Sequence, residues 1–220
     1  MAIAIDSTVT FQRSSDTTHS FTFDNVAGDF LLIGFSTSTN ANTTVVSITY
    51  NGVDFTEVDK QVQPNNTKAI VWRLNNPATG SNTLVITLSR TDGAAGAVQS
   101  YTGVDLANPI DASNKGTSWG ATTAMSLPIT TITDNTRLFA HAYIARTVTS
   151  LATGTTSILT ANGTALTIRS TNEIASAGAA SLAWTAARNE FSGHVIVALK
   201  EASGGGGAAQ TARRGAVMMM

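Results

Sequence analysis

The chain has 220 residues, of which 42% are hydrophobic and only 12% charged, with 13 basic against 14 acidic side chains and no cysteine. A net charge of −1 gives no broad electrostatic reason to expect nucleic acid or an anionic membrane as partner. The lack of thiols excludes disulfides, thiolate metal sites and cysteine nucleophiles.

Polarity is carried by Thr, Ser and Asn, with Thr at about one residue in six, and β-branched polar side chains suit the solvent face of a strand. Period-2 alternation opens with Ile3, Ile5, Val9 and Phe11 and continues through Phe21 and Phe23. The run Phe30-Leu31-Leu32-Ile33-Gly34-Phe35 predicts a strand buried on both faces. Val46, Ile48 and Tyr50 alternate up to Asn51-Gly52, a hairpin turn signal because both residues tolerate positive φ, and Val53, Phe55 and Val58 return from it. Two longer strands are expected over 69–74 and 83–88, separated by the loop formers of 75–82. A further strand over 96–101 ends at Gly103-Val104-Asp105, and 108–120 predicts a long crossing loop between sheets.

Beyond it Met125, Leu127 and Ile129 alternate, and Leu138 to Ile144 predicts a strong strand. Ser157-Ile158-Leu159 and Leu166-Thr167-Ile168 flank a second Asn-Gly turn at Asn162-Gly163. The alanine-rich run 175–187 carries Gly178, Ser181 and Thr185 and predicts a strand over a helix, and 194–199 closes the body. About a dozen strands and no helix are expected.

After Lys200-Glu201 the composition changes to Ser203-Gly204-Gly205-Gly206-Gly207, which predicts a flexible hinge. The division expected is a β-sandwich domain over 1–201 and a hinge with C-terminal arm over 202–220. Without Arg213 and Arg214, the arm's only charges, 11 basic side chains of the 13 remain against 14 acidic ones, so the body is mildly acidic. The arm ends in Val217-Met218-Met219-Met220, too short to build a core, and such an apolar end is expected to be either disordered or docked on something else. Arg213, Arg214, Val217, Met218, Met219 and Met220 are therefore the candidate partner-binding residues.

No catalytic constellation stands out. His19, His141 and His194 sit in no recognisable triad or zinc motif, and the phase of His141 against Leu138 and Ala140 predicts a sheet-face histidine. Asp54, Glu57 and Asp59, and also Asp105 and Asp111, could offer oxygen ligands to calcium, but their spacing is not that of a calcium loop and solvent-facing carboxylates are expected. Neither a metal nor a cofactor is expected, and the chain is read as a non-enzyme. Trp72 and Trp184 lie inside strand patterns and are expected in the core, whereas Trp119, within Gly116-Thr117-Ser118-Trp119-Gly120, is the candidate contact for a ligand or partner. Three Asn-x-Thr sequons begin at Asn42, Asn65 and Asn162, a number that abundant Asn and Thr supply by chance.

Several segments together resemble a domain of about 200 residues found in phage structural proteins and bacterial surface proteins. The matching pieces are Gly28 to Gly34, Ile48 to Thr56, Val71 to Pro77, Tyr101 to Asp105, Ala183 to Thr185 and His194 to Lys200. The resemblance implies an all-β fold, a two-sheet antiparallel, jelly-roll-like β-sandwich, here with an extended C-terminal arm, and it carries over no catalytic residue. On that reading the chain is expected to be a bacteriophage virion structural protein, a capsid decoration or other accessory protein on the particle surface. It is expected to be made in the host cytoplasm, since residues 1–6 lack the basic and apolar segments of a secretory signal, and no run approaches the roughly 18 apolar residues of a membrane span. The expected partners are capsid or tail subunits, with lattice attachment or homo-oligomerisation. The alternative expectation is a carbohydrate-binding or adhesion module of a tail fibre or bacterial surface protein, with Trp119 as the candidate contact for a host-surface glycan.

Overall fold

The computed structural model describes residues 1–37, 42–63, 66–119, 122–189 and 191–203, and of Trp119 the backbone alone. Among them are fifteen strands, all paired antiparallel, and no helix. The first seven form one sheet: β1 (Ala4–Asn25), β2 (Phe30–Thr37), β3 (Val45–Tyr50), β4 (Val53–Asp54), β5 (Thr56–Val62), β6 (Lys68–Asn75) and β7 (Gly80–Thr102). β1 and β7 pair along their whole length, from Ala4↔Thr102 to Asn25↔Gly80. The first part of β7 also pairs with β3 and its last part with β2.

This sheet is bent. Between the pairs Asp16↔Asp92 and Thr18↔Thr87 a single β1 residue faces four residues of β7, a bulge that turns the ribbon sharply. The local sequences, Arg13-Ser14-Ser15-Asp16-Thr17-Thr18 and Ser89-Arg90-Thr91, are polar and have no apolar face to bury. The two halves fold over each other, so that Phe11 before the bend and Phe21 after it stack with ring centroids 4.7 Å apart. Their shared core holds Leu31, Ile33 and Phe35 on one side and Ile48, Leu84 and Ile86 on the other. The chain passes almost directly from β4 to β5 through Phe55, whose N–H donates to the Ile48 carbonyl, so the unit is nearly a closed barrel.

The second half contains β8 (Ile110–Trp119), β9 (Ala124–Thr131), β10 (Arg137–Ile144), β11 (Val148–Leu151), β12 (Thr155–Ala161), β13 (Ala165–Ser170), β14 (Gly178–Ala186) and β15 (Phe191–Leu199). A five-stranded sheet runs β12-β13-β10-β15-β8 and a three-stranded one β11-β14-β9. Between them Leu127, Ile129, Leu182 and Trp184 pack on Leu138, Ala140, Ile168 and Ile196. The other face of the five-stranded sheet, with Phe139, Val195, Val197 and Leu199, packs on Phe30, Leu32, Val71 and Tyr101 of the first half. Four layers therefore stack around three cores. β2 and β15 lie inside this stack, which is why 30–35 and 195–199 read as near-continuous apolar runs.

The all-β antiparallel expectation holds, while the strands fall into three hydrogen-bonded sheets where two were expected. The segment 108–120 is corrected: Ile110–Trp119 is a strand, not a crossing loop, pairing with β15 from Ile110↔Leu199 to Trp119↔Phe191. Ser113, Asn114 and Lys115 of β8 are exposed and Asp111 half-buried, so the strand carries no apolar alternation to read. The fragments expected around Val9 and Phe21, and those over 83–88 and 96–101, are continuous strands interrupted only in their patterning at the bend. The turn at Asn51-Gly52 has positive φ at both residues (50° and 79°), as its sequence requires.

The strand directions define two poles. One gathers the chain start, the 103–109 connection and Glu201; the other gathers the β1/β7 bend, the β10–β11 and β12–β13 connections and the β8 end.

Candidate functional site

The three histidines are the natural starting point for chemistry. His141 projects from β10 into the middle interface, where Ser36 Oγ lies 2.7 Å from its Nε2 and Thr167 Oγ1, directly across the sheet, 2.8 Å from its Nδ1. Gly34 makes the room: a Cβ there would stand 2.7 Å from His141 Cβ. A hydroxyl against an imidazole is the geometry of an activated nucleophile. Here, however, Ser36, His141 and Thr167 are all fully buried, and a hydroxyl stands where a triad would place a carboxylate. Burial pushes the His141 imidazole down to about 3, so it is neutral near pH 7, one nitrogen donating and the other accepting. The three residues form a satisfied polar link between β2, β10 and β13.

His194 faces the opposite core, beneath Gly116 of β8, where a Cβ would stand 2.8 Å from its Nε2. Burial holds it down to about 4, and among the described residues its Nδ1 has no hydrogen-bond partner. His19 is buried in the first half, and desolvation lowers it too. The structure thus disperses the histidines over three places.

The carboxylates flagged in the sequence are engaged locally. Asp59 pairs with Lys115 at 2.8 Å and Glu57 with Lys60 at 3.2 Å, while Asp54 is exposed. Asp111 accepts from the N–H groups of Ile132 (2.6 Å) and Thr133 (3.0 Å). Lys200 at 3.1 Å, together with the N–H groups of Asn108 and Ala107, holds the Asp105 carboxyl below its ordinary value. Among the described residues no three His, Asp or Glu side chains gather as a metal ion would require. Trp184 is buried and Trp72 packs at the edge of the first core.

Trp119 ends β8, its backbone opposite Phe191; its side chain lies outside the described residues, as do Arg213, Arg214, Val217, Met218, Met219 and Met220. The root of the arm is described. Glu201 bridges to Val104 and pairs with the Met1 amine at 3.0 Å, and Ala202 N–H donates to the Gly103 carbonyl at 2.8 Å.

One feature escaped the sequence reading. At the pole opposite the arm root, the β10–β11, β12–β13 and β14–β15 connections border an open, shallow cleft of about 420 Å³ lined by Arg146, Thr147, Asn162, Gly163 and Arg188. The Arg146 guanidinium lies over the Phe191 ring, 5.8 Å from its centroid. Asn162 Oδ1 accepts from Val148 N–H at 3.0 Å, which directs the rest of that side chain's hydrogen bonding to its NH2 group. The residues come from three connections separated by up to 42 positions, so no local motif could have signalled them.

Searches against known protein families, curated proteins and solved structures find no match to this chain.

Proposed function

We propose that this chain is a bacteriophage virion structural protein, a capsid decoration or accessory protein that docks on a neighbouring virion subunit through residues 203–220. The observation that carries the reading is the root of the arm. The chain is held to its body through Glu201 and Ala202, and immediately afterwards the sequence turns to four glycines, two arginines and an apolar end. A tethered segment of that composition adds contact area on a neighbour at low cost to the body's own fold. The finer fold reading that accompanies it, a jelly-roll-like sandwich, rests on the resemblance of the strand and turn motifs; the antiparallel all-β stack is compatible with it.

Co-sedimentation with purified particles tests the reading. The full chain is expected to pellet with shells at a fixed ratio, and a chain ending at residue 202 to remain in the supernatant. Equal pelleting of both would overturn the docking arm.

The second reading, a carbohydrate-binding or adhesion module, is favoured by the cleft. Its polar lining and the Phe191 ring sit on the pole where Trp119 ends β8.

A further inference from the structure

We propose that the cleft between the β10–β11, β12–β13 and β14–β15 connections is a binding site for the acidic group, a carboxylate or sulfate ester, of a saccharide, held by Arg146, Arg188 and the amide of Asn162. This inference rests on the adhesion reading and names the ligand chemistry of its site.

Among the described residues, the side chains lining the cleft offer hydrogen-bond donors in excess of acceptors. Two guanidiniums carry donors only, and the one acceptor of Asn162 is engaged by Val148 N–H. Among the described residues neither Arg146 nor Arg188 forms an ion pair, although the same protein pairs three of its exposed or half-exposed lysines, Lys60, Lys115 and Lys200. Glu190, next to this site in sequence, lies outside the described residues. Stacking on Phe191 restrains the Arg146 side chain, so less rotamer entropy is lost when its fork closes on a planar anion. Carboxylate and sulfate oxygens are the acceptors such a fork matches.

The charge of the site narrows the choice among anions. About 420 Å³ accommodates one or two sugar rings. A nucleic acid draws its affinity from many phosphate contacts, for which two arginines on a chain of net charge −1 are a poor match. The Asn162 amide and the Thr147 hydroxyl type are suited to the hydroxyls around the acidic group of a sugar, and the exposed position of the connections leaves the rest of a glycan free in solvent.

Calorimetric titration of the full chain tests this, with four ligands of similar length: an oligogalacturonate (carboxylates), a heparin-derived hexasaccharide (sulfates), neutral maltohexaose and a hexanucleotide. Binding of one or both acidic saccharides is expected, whichever is tighter identifying the preferred group. Arg146→Ala and Arg188→Ala should each weaken it by roughly tenfold or more. Arg90→Ala, which removes an exposed arginine outside the cleft, should leave it unchanged, and unaltered melting temperatures would show that the variants fold. Acidic-saccharide binding that survives both cleft variants, or a hexanucleotide bound more tightly than either acidic saccharide, would overturn the site. Maltohexaose bound as well as the acidic ligands would overturn the acidic preference while leaving the adhesion reading standing. No binding to any saccharide up to about 10 mM would overturn both.

Discussion

At the residue scale, the histidines set the protein's response to acid. His141 and His194 are neutral in the fold, held down to about 3 and about 4, whereas in the unfolded chain each titrates near its ordinary value of about 6.5. Below that value the unfolded state binds more protons, so the contribution is fully present above about pH 6.5 and is lost as pH falls toward the folded values. His141 and His194 should each contribute a slope of about 1 kcal/mol per pH unit between pH 6 and 5, before most carboxylates titrate, and His19 adds in the same direction. Urea unfolding at several pH values measures it; a flat profile over that window would refute buried neutral histidines. Gly34 makes a second point: a Cβ would press on His141 Cβ at 2.7 Å and Phe139 Cε1 at 2.9 Å, both within packed sheets. Gly34→Ala is expected to cost about 2 kcal/mol or more, seen as a lowered urea midpoint at unchanged m-value. The phase of His141 was legible because alternation assigns a face. Its partners were not, because Ser36 lies 105 residues away and Thr167 26 residues away.

At the element scale, strands were legible where at least one face carries a row of buried apolar side chains and illegible where few side chains are buried. Phe30–Thr37 announces itself because every position meets a core, while Ile110–Trp119 hides because its outer side is polar and Gly116 is there to admit His194. The bend in the first sheet was read as strand ends because its residues have nothing to bury, although the ladder resumes beyond them. The turn from β1 to β2 rests on Asp6, whose carboxylate accepts from the N–H groups of Val26, Ala27 and Gly28 and from Ser100 Oγ. Burial pushes this carboxyl up, but those hydrogen bonds outweigh it and leave it below the ordinary value. Asp6→Ala leaves three N–H groups without that partner and is expected to cost about 2 kcal/mol, with Asp6→Asn costing less. A substitution within about 0.5 kcal/mol of neutral would show that water replaces the carboxylate there.

At the scale of the whole molecule, alternation says which face of a strand is apolar but not which sheet covers it. That is why the four-layer stack and the cleft at its pole emerge only from the fold. The arginines of that cleft and the arm root stand at opposite ends of the body. Because Glu201 and Ala202 keep their contacts, ending the chain at residue 202 should leave the melting temperature within about 2 °C of the full chain. The most direct test of the assembly role is an electron cryomicroscopy reconstruction of purified particles incubated with the full chain. The account predicts the layered body at symmetry-related positions, with residues 203–220 traced into a neighbouring shell or tube subunit. Particles that lack the chain, or that hold it through its layered body while 203–220 touches no other subunit, would contradict it.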